Sequence, residues 1–202
     1  MKKIELNKQI KKDALLDSAY NLFTTAGFHK TSISEIALHA GVAKGTFYLY
    51  FRDKESIRNE LISKKSAELL SHAINTVDNN SDNNDLVFAD KMIAVIDDII
   101  ASVTKDHNVL RFISKNLSWG LFKSVLASPS EETEFDFLSL YNGMIEKTGI
   151  KLRDSEVMLF LIIELVSSTC YNSILYEQPV SIDELKPHLY STIRLIIYDH
   201  CE

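Results

Sequence analysis

Proline and glycine are scarce in this chain, at three and six in 202 residues, and little of it alternates apolar and polar residues as a half-buried strand would. These absences exclude a turn-rich β protein and point to an all-α fold. Only two cysteines occur, Cys170 and Cys201, which excludes a disulfide scaffold and suits a reducing compartment. The six histidines form no HxxxH pair and have no cysteine partner at ligand spacing, so neither a metal site nor a cofactor is expected. No phosphate-cradling glycine loop and no nucleophile elbow is present, and no residue set points to catalysis, so an enzyme is not expected. The longest apolar stretch, around residues 157–166, is interrupted by Glu164 and reads as too short to span a bilayer. The start, MKKIELNKQIKKD, is basic but lacks an apolar core, so no signal peptide and a cytoplasmic location are expected.

What remains is an ordinary globular composition, 46% hydrophobic and 25% charged, with a net charge of −6 that is unevenly spread. Residues 1–60 carry ten Lys/Arg against seven Asp/Glu, whereas residues 61–202 carry twelve against twenty-one. A basic head on an acidic body is the pattern of a chain whose N-terminal part meets an anionic partner.

Residues 27–57, GFHKTSISEIALHAGVAKGTFYLYFRDKESI, describe two short helices joined by a glycine turn. Ser32 and Glu35 have capping-box spacing, Ile33, Ile36, Ala37 and Ala40 repeat at helical spacing, and Gly41 stands where a helix ends in the left-handed region. A second helix then carries Lys44, Gly45, Thr46, Phe47, Tyr48, Leu49 and Tyr50, whose small, hydroxylated and basic outer face suits a nucleic-acid groove. This is a helix-turn-helix. Phe47 and Phe51, four residues apart, are expected to hold it onto the head.

Periodicity divides the whole chain into about nine helices. A first helix is expected over residues 7–26, a fourth from an Asp53 cap to about residue 77, and a loop at DNNSDNND, 78–85. The domains are expected at 1–53, binding nucleic acid, and 54–202, for ligand binding and dimerisation. Helices follow over residues 92–103, over 107–127 with an interruption near Ser118 and Gly120, and over 131–147 after a turn at Ser128-Pro129-Ser130. The segment 154–177 is apolar nearly all round, and 182–199 carries one apolar face. These last two helices are either a homodimer seam or the centre of a monomeric bundle.

The runs LLDSAYNLF, GFHKTSISEIA and AGVAKGTFYLYFRDKESI, residues 15–57, resemble the DNA-binding head of the TetR family of bacterial transcriptional regulators. The resemblance implies a three-helix head, a homodimer on a palindromic operator of double-stranded DNA, and a repressor released by a small-molecule inducer. It places Thr46, Tyr48, Leu49 and Tyr50 at the groove or its phosphate rim, in a recognition helix from Lys44 through Gly45 to Tyr50. Thr31, Ser32 and Lys54 would meet phosphate, and Ser34 would reach a base edge. Hydroxyl and ammonium groups set register on the duplex, and Leu49 or the Thr46 methyl suits a thymine methyl. The helix lacks Arg, Asn and Gln, so shape readout is expected to matter.

The ligand site is less legible. Phe112, Trp119, Phe122, Tyr141, Glu164 and Tyr171 are the candidates, on the grounds of an aromatic cluster and of a carboxylate inside an apolar run. Glu164 would either meet a cationic ligand or pair across a dimer. A ligand-independent or activating regulator, or a helical protein-interaction module that keeps the head, are the alternatives.

Overall fold

The computed structural model describes residues 3–79, 87–114, 141–143, 145–146 and 149–202. Its helices are α1 (Lys3–Thr25), α2 (Ile33–His39), α3 (Lys44–Phe47), α4 (Lys54–Asn79), α5 (Phe88–Lys105), α6 (His107–Ser114), α7 (Ser155–Tyr176) and α8 (Ile182–Asp199). No strand occurs among the described residues, where an isolated β-bridge pairs Leu152 with Cys201. The fold is all-α, as expected. The expectations at Ser118 and Gly120, at Ser128-Pro129-Ser130 and over most of 131–147 lie outside the described residues. The loop expected at 78 begins later, because Asp78 and Asn79 still belong to α4.

The chain divides into two compact units, Met1–Lys64 and Lys65–Glu202, with the division inside α4 rather than at its start. In the first unit, Leu15, Leu16, Ala19 and Phe23 of α1 form one buried stripe, joined by Ile36, Ala37, Phe47, Phe51, Ile57 and Leu61. In the second, the apolar faces of the last turns of α4 and of α5, α7 and α8 share one core that includes Ile74, Phe88, Ile100, Met158 and Ile193. Polar ties connect α5 to α8. Lys186 bridges to Asp97 at 2.7 Å, and the Tyr190 hydroxyl donates to the same carboxylate. Burial alone would raise the Asp97 pKa, but these two hydrogen bonds outweigh it and hold the carboxyl below its ordinary value.

Both ends of α7 are made by left-handed residues that are not glycine, Asp154 at φ 49° and Glu177 at φ 52°. The Cβ clash that disfavours this region is absent in glycine. Glu177→Gly is therefore expected to stabilise the protein by about 1 kcal/mol, read as a Tm rise of a few degrees. An unchanged or lower Tm would show that the Glu177 backbone is not in that conformation.

Candidate nucleic-acid interface and ligand cavity

The short helices of the first unit are set by their ends. At the start of α2 the Ser32 Oγ accepts from the Glu35 N–H at 3.2 Å while the Ser32 N–H donates to Glu35 Oε2 at 2.7 Å. The hydrogen bond with Ser32 holds the Glu35 carboxyl below its ordinary value. α2 ends at Gly41, φ 67°, with Val42 N–H donating to Ala37 O and Gly41 N–H to Leu38 O, the paired bonds of a Schellman motif. Inside, the Ser18 hydroxyl donates to the Ile36 carbonyl at 2.9 Å and pins α1 to α2. At the start of α4 the Asp53 carboxylate accepts from the Ser56 N–H at 2.7 Å, so Asp53 caps that helix as its sequence suggests.

α3 is shorter than expected. It ends at Phe47, after which Leu49 N–H donates to Thr46 O and Tyr50 N–H to Phe47 O, three residues back. The chain from 48 to 50 is a tightened turn, not α-helix, because Phe47 and Phe51 both turn into the core with ring centroids 5.6 Å apart. The turn pushes its other side chains outward: Leu49 is 80% exposed and Tyr48 52%. Lys44 and Gly45 are exposed, and Thr46 and Tyr50 are half-buried. Gly45 has an ordinary helical φ, and a Cβ there would meet nothing within 4 Å. Nothing inside the chain requires glycine at this position; its effect is to leave the α3 backbone open to close approach from outside.

Ser32 and Ser34 are exposed beside this surface, whereas Thr31 and Lys54 are engaged within the fold. Thr31 is only 3% exposed, and its hydroxyl donates inward to Gly27 O at 2.9 Å. Its side chain fastens the α1–α2 turn. Lys54 is half-buried, with its ammonium donating to Phe28 O at 2.7 Å and Thr31 O at 2.8 Å. It also lies 4.4 Å from the Phe28 ring centroid, and Arg58 stands 4.5 Å from the same ring. Two of the three ammonium N–H groups of Lys54 thus hold the turn, leaving one to face outward.

The second unit contains a cavity of about 180 Å³ walled by aliphatic side chains of α4, α5, α6 and α7, among them Leu69, Val95, Ile96, Leu110, Leu159 and Ile162. Tyr141 and Cys170 also line it. Burial pushes the Tyr141 phenol up to about 12 and the Cys170 thiol up to about 11, so both stay neutral. Of the expected ligand residues that are described, only Tyr141 is in this wall. Phe112 is buried on another face of α6, and Tyr171 packs edge-on against Tyr176 at 6.0 Å. Glu164 is exposed on the outer face of α7 and does not line the cavity. Trp119 and Phe122 lie outside the described residues. The missed residues are aliphatic. Their helical spacing announces a core, and nothing in that spacing distinguishes a filled core from a hollow one. Among the described residues no group of His, Cys, Asp and Glu could hold a metal ion.

Residues 15–61 match the family described as "Bacterial regulatory proteins, tetR family". The chain is 26% identical over 154 residues to the Fatty acid metabolism regulator protein of Bacillus subtilis (strain 168), covering 72% of this chain and 76% of that one. It is 43% identical over 72 residues to the HTH-type transcriptional regulator YdgC of the same organism, spanning only 37% of that relative's length. In structure it superposes on the transcriptional regulator FadR from Bacillus subtilis in complex with stearoyl-CoA, with a TM-score of 0.61, 21% identity and coverage of 91% and 96% of the two chains. The head of the chain matches the TetR family. The first unit is therefore similar to the DNA-binding head of TetR-family transcriptional regulators, and the surface around Lys44, Gly45, Tyr48 and Leu49 is the outer side of its helix-turn-helix.

Beyond the head, the chain exposes apolar side chains on its last two helices. Val157, Phe160 and Leu161 of α7 are exposed at helical spacing, as are Leu195 (66%) and Tyr198 (79%) of α8. α7 has a mean hydropathy of 1.6 over 18 residues and only 28% of that window is buried. Contrary to the sequence expectation, α7 is long and apolar enough to cross a membrane by length and composition, because the helix continues well past the C-terminal end of the 157–166 run, to Tyr176.

Proposed function

We propose that the protein is a homodimeric repressor that binds an inverted-repeat operator through its two heads and leaves it when a long-chain acyl thioester enters the cavity of the second unit. The observation that carries this reading is the cavity: it is apolar, and Leu69, Leu70 and Ile74 of α4 help to wall it. The first turn of that same helix supplies Lys54, which fastens the turn before α2. An occupant that displaces the later turns of α4 acts on the helix that anchors the reading elements. A coupling of about 1–3 kcal/mol would change operator affinity roughly 5- to 150-fold. The likeness to a fatty acid metabolism regulator, and to a FadR bound to stearoyl-CoA, supports the choice of ligand.

In this reading Lys44, Gly45, Thr46, Tyr48, Leu49 and Tyr50 meet the groove or its rim, Ser32 and Ser34 flank it, and the remaining N–H of Lys54 meets phosphate. The exposed apolar faces of α7 and α8 meet the same faces of a second copy, which removes them from water. Such a regulator works in the cytoplasm.

The test is fluorescence anisotropy with an inverted-repeat duplex from upstream of the gene, titrated with protein, salt and stearoyl-CoA. Tight binding with a steep salt dependence, lost in Lys44→Ala/Tyr48→Ala protein that remains a folded dimer, is the expected result. Equal binding to scrambled DNA would overturn it. Specific binding that stearoyl-CoA leaves unchanged would instead favour a ligand-independent regulator.

A further inference from the structure

We infer that the cavity reads the far end of its ligand, accepting a bare hydrocarbon terminus and rejecting one that carries a hydroxyl or a carboxylate. This deepens the reading of the second unit as a ligand-binding unit and rests on it.

The wall sets the chemistry. Among the described residues it contains no charged side chain and no amide. Its polar groups are few. The Ser167 hydroxyl donates to the Glu164 carbonyl in its own helix at 3.3 Å, and the Tyr141 hydroxyl oxygen is itself fully buried. The Cys170 sulfur is a neutral thiol and a poor hydrogen-bonding partner. Among the described residues that leaves Ser114, at the end of α6, as the wall's other hydroxyl.

An amphipathic ligand can therefore enter only by its apolar end, since a charged head would be desolvated without a counter-charge. The volume, about 180 Å³, is slightly above that of an engineered dry cavity, roughly 150 Å³, that takes benzene. It accommodates about six carbons of a chain. A polar group on those last carbons is buried among Val95, Ile96, Leu159 and Ile162. From the usual penalty for an uncompensated hydroxyl, its binding weakens roughly 5- to 150-fold. A terminal carboxylate loses more, at least about 100-fold, because no cation in the described wall can pair with it.

The location and the selectivity can be read together through Cys170, which lines the cavity, while the exposed Cys201 is removed as Cys201→Ser. The rate at which a small thiol reagent modifies Cys170 in the full-length protein is measured with n-hexane, 1-hexanol or hexanoate present. Protection by n-hexane, protection by 1-hexanol only at several-fold higher occupancy-corrected concentration, and none by hexanoate is the expected order. Equal protection by hexanoate, or no protection by n-hexane, overturns the inference. A second arm compares operator release by stearoyl-CoA and by its ω-carboxylated counterpart. If the small probes discriminate but neither thioester releases DNA, the cavity's selectivity stands and the acyl-thioester reading of the function fails.

Discussion

Phe47→Ala is expected to cost the head about 3–5 kcal/mol and with it operator binding. Phe47 is fully buried, its ring packs edge-on against Tyr48 at 5.5 Å and tilted against Phe51 at 5.6 Å, and it is the last residue of α3. Removing a buried aromatic loses its transfer free energy and leaves a void that only partly collapses. A helix of four residues has no stability of its own, since nucleation alone outweighs what one turn returns. The loss is thus concentrated where the recognition surface is built. Against a typical total of about 5–15 kcal/mol, it is enough to melt the first unit at moderate temperature. Urea unfolding followed by circular dichroism, beside anisotropy on the operator duplex, checks both effects. Leu49→Ala is the control, because at 80% exposure it should change stability by less than about 0.5 kcal/mol. A Phe47→Ala protein with wild-type melting and wild-type affinity would show that α3 is held by something other than its aromatic anchor.

Val95→Phe is expected to leave a folded, DNA-binding protein that no longer answers to its ligand. Val95 is buried in α5 and lines the cavity, so a larger ring at this position points into empty space. Overpacking a full core costs about 1–3 kcal/mol, but a void of about 180 Å³ absorbs the added atoms with less strain. The ligand then competes with a covalently attached occupant, and its apparent affinity should fall by at least about 100-fold, the scale of a few kcal/mol of lost burial. Titrating stearoyl-CoA into the preformed complex of variant and operator duplex gives the answer. An unaltered release midpoint would place the ligand elsewhere in the chain.

Much of the head is legible in its amino-acid sequence because its determinants are local. The capping box of Ser32 and Glu35, the left-handed Gly41 and the Asp53 cap each involve residues within a few positions, and each is made as the sequence suggests. The extent of α3 depends on something less local. Phe47 and Phe51 must both reach the core, and that demand tightens the backbone after Phe47. The internal bonds of Thr31 and Lys54 are not legible for a related reason: a polar side chain near a helix start suits phosphate and a neighbouring carbonyl equally well. Only the fold brings Phe28 O and Thr31 O to the Lys54 ammonium, 26 and 23 residues away in sequence.

The body is legible as helices and hardly at all as a site. The bounds expected for the last helix, 182–199, are those found, since Ser181 and Glu184 form a second capping box. A cavity, by contrast, is a deficit of packing between Val95, Ile96, Leu110, Leu159 and Ile162, residues of three different helices. No periodicity records a deficit. Aromatic clustering points to Phe112 and Tyr171, whose rings are used in packing on other faces.

Glu164 carries a consequence that begins before the protein is folded. It stands near the middle of α7, a 22-residue segment that is long and apolar enough, even with this carboxylate, to cross a lipid bilayer. On insertion scales an aliphatic residue at that depth favours the membrane by a few tenths of a kcal/mol, whereas an acidic one opposes it by on the order of 3 kcal/mol. A single carboxylate, exposed in the finished fold, thus weighs against diversion of the nascent helix into the membrane and toward its release into water.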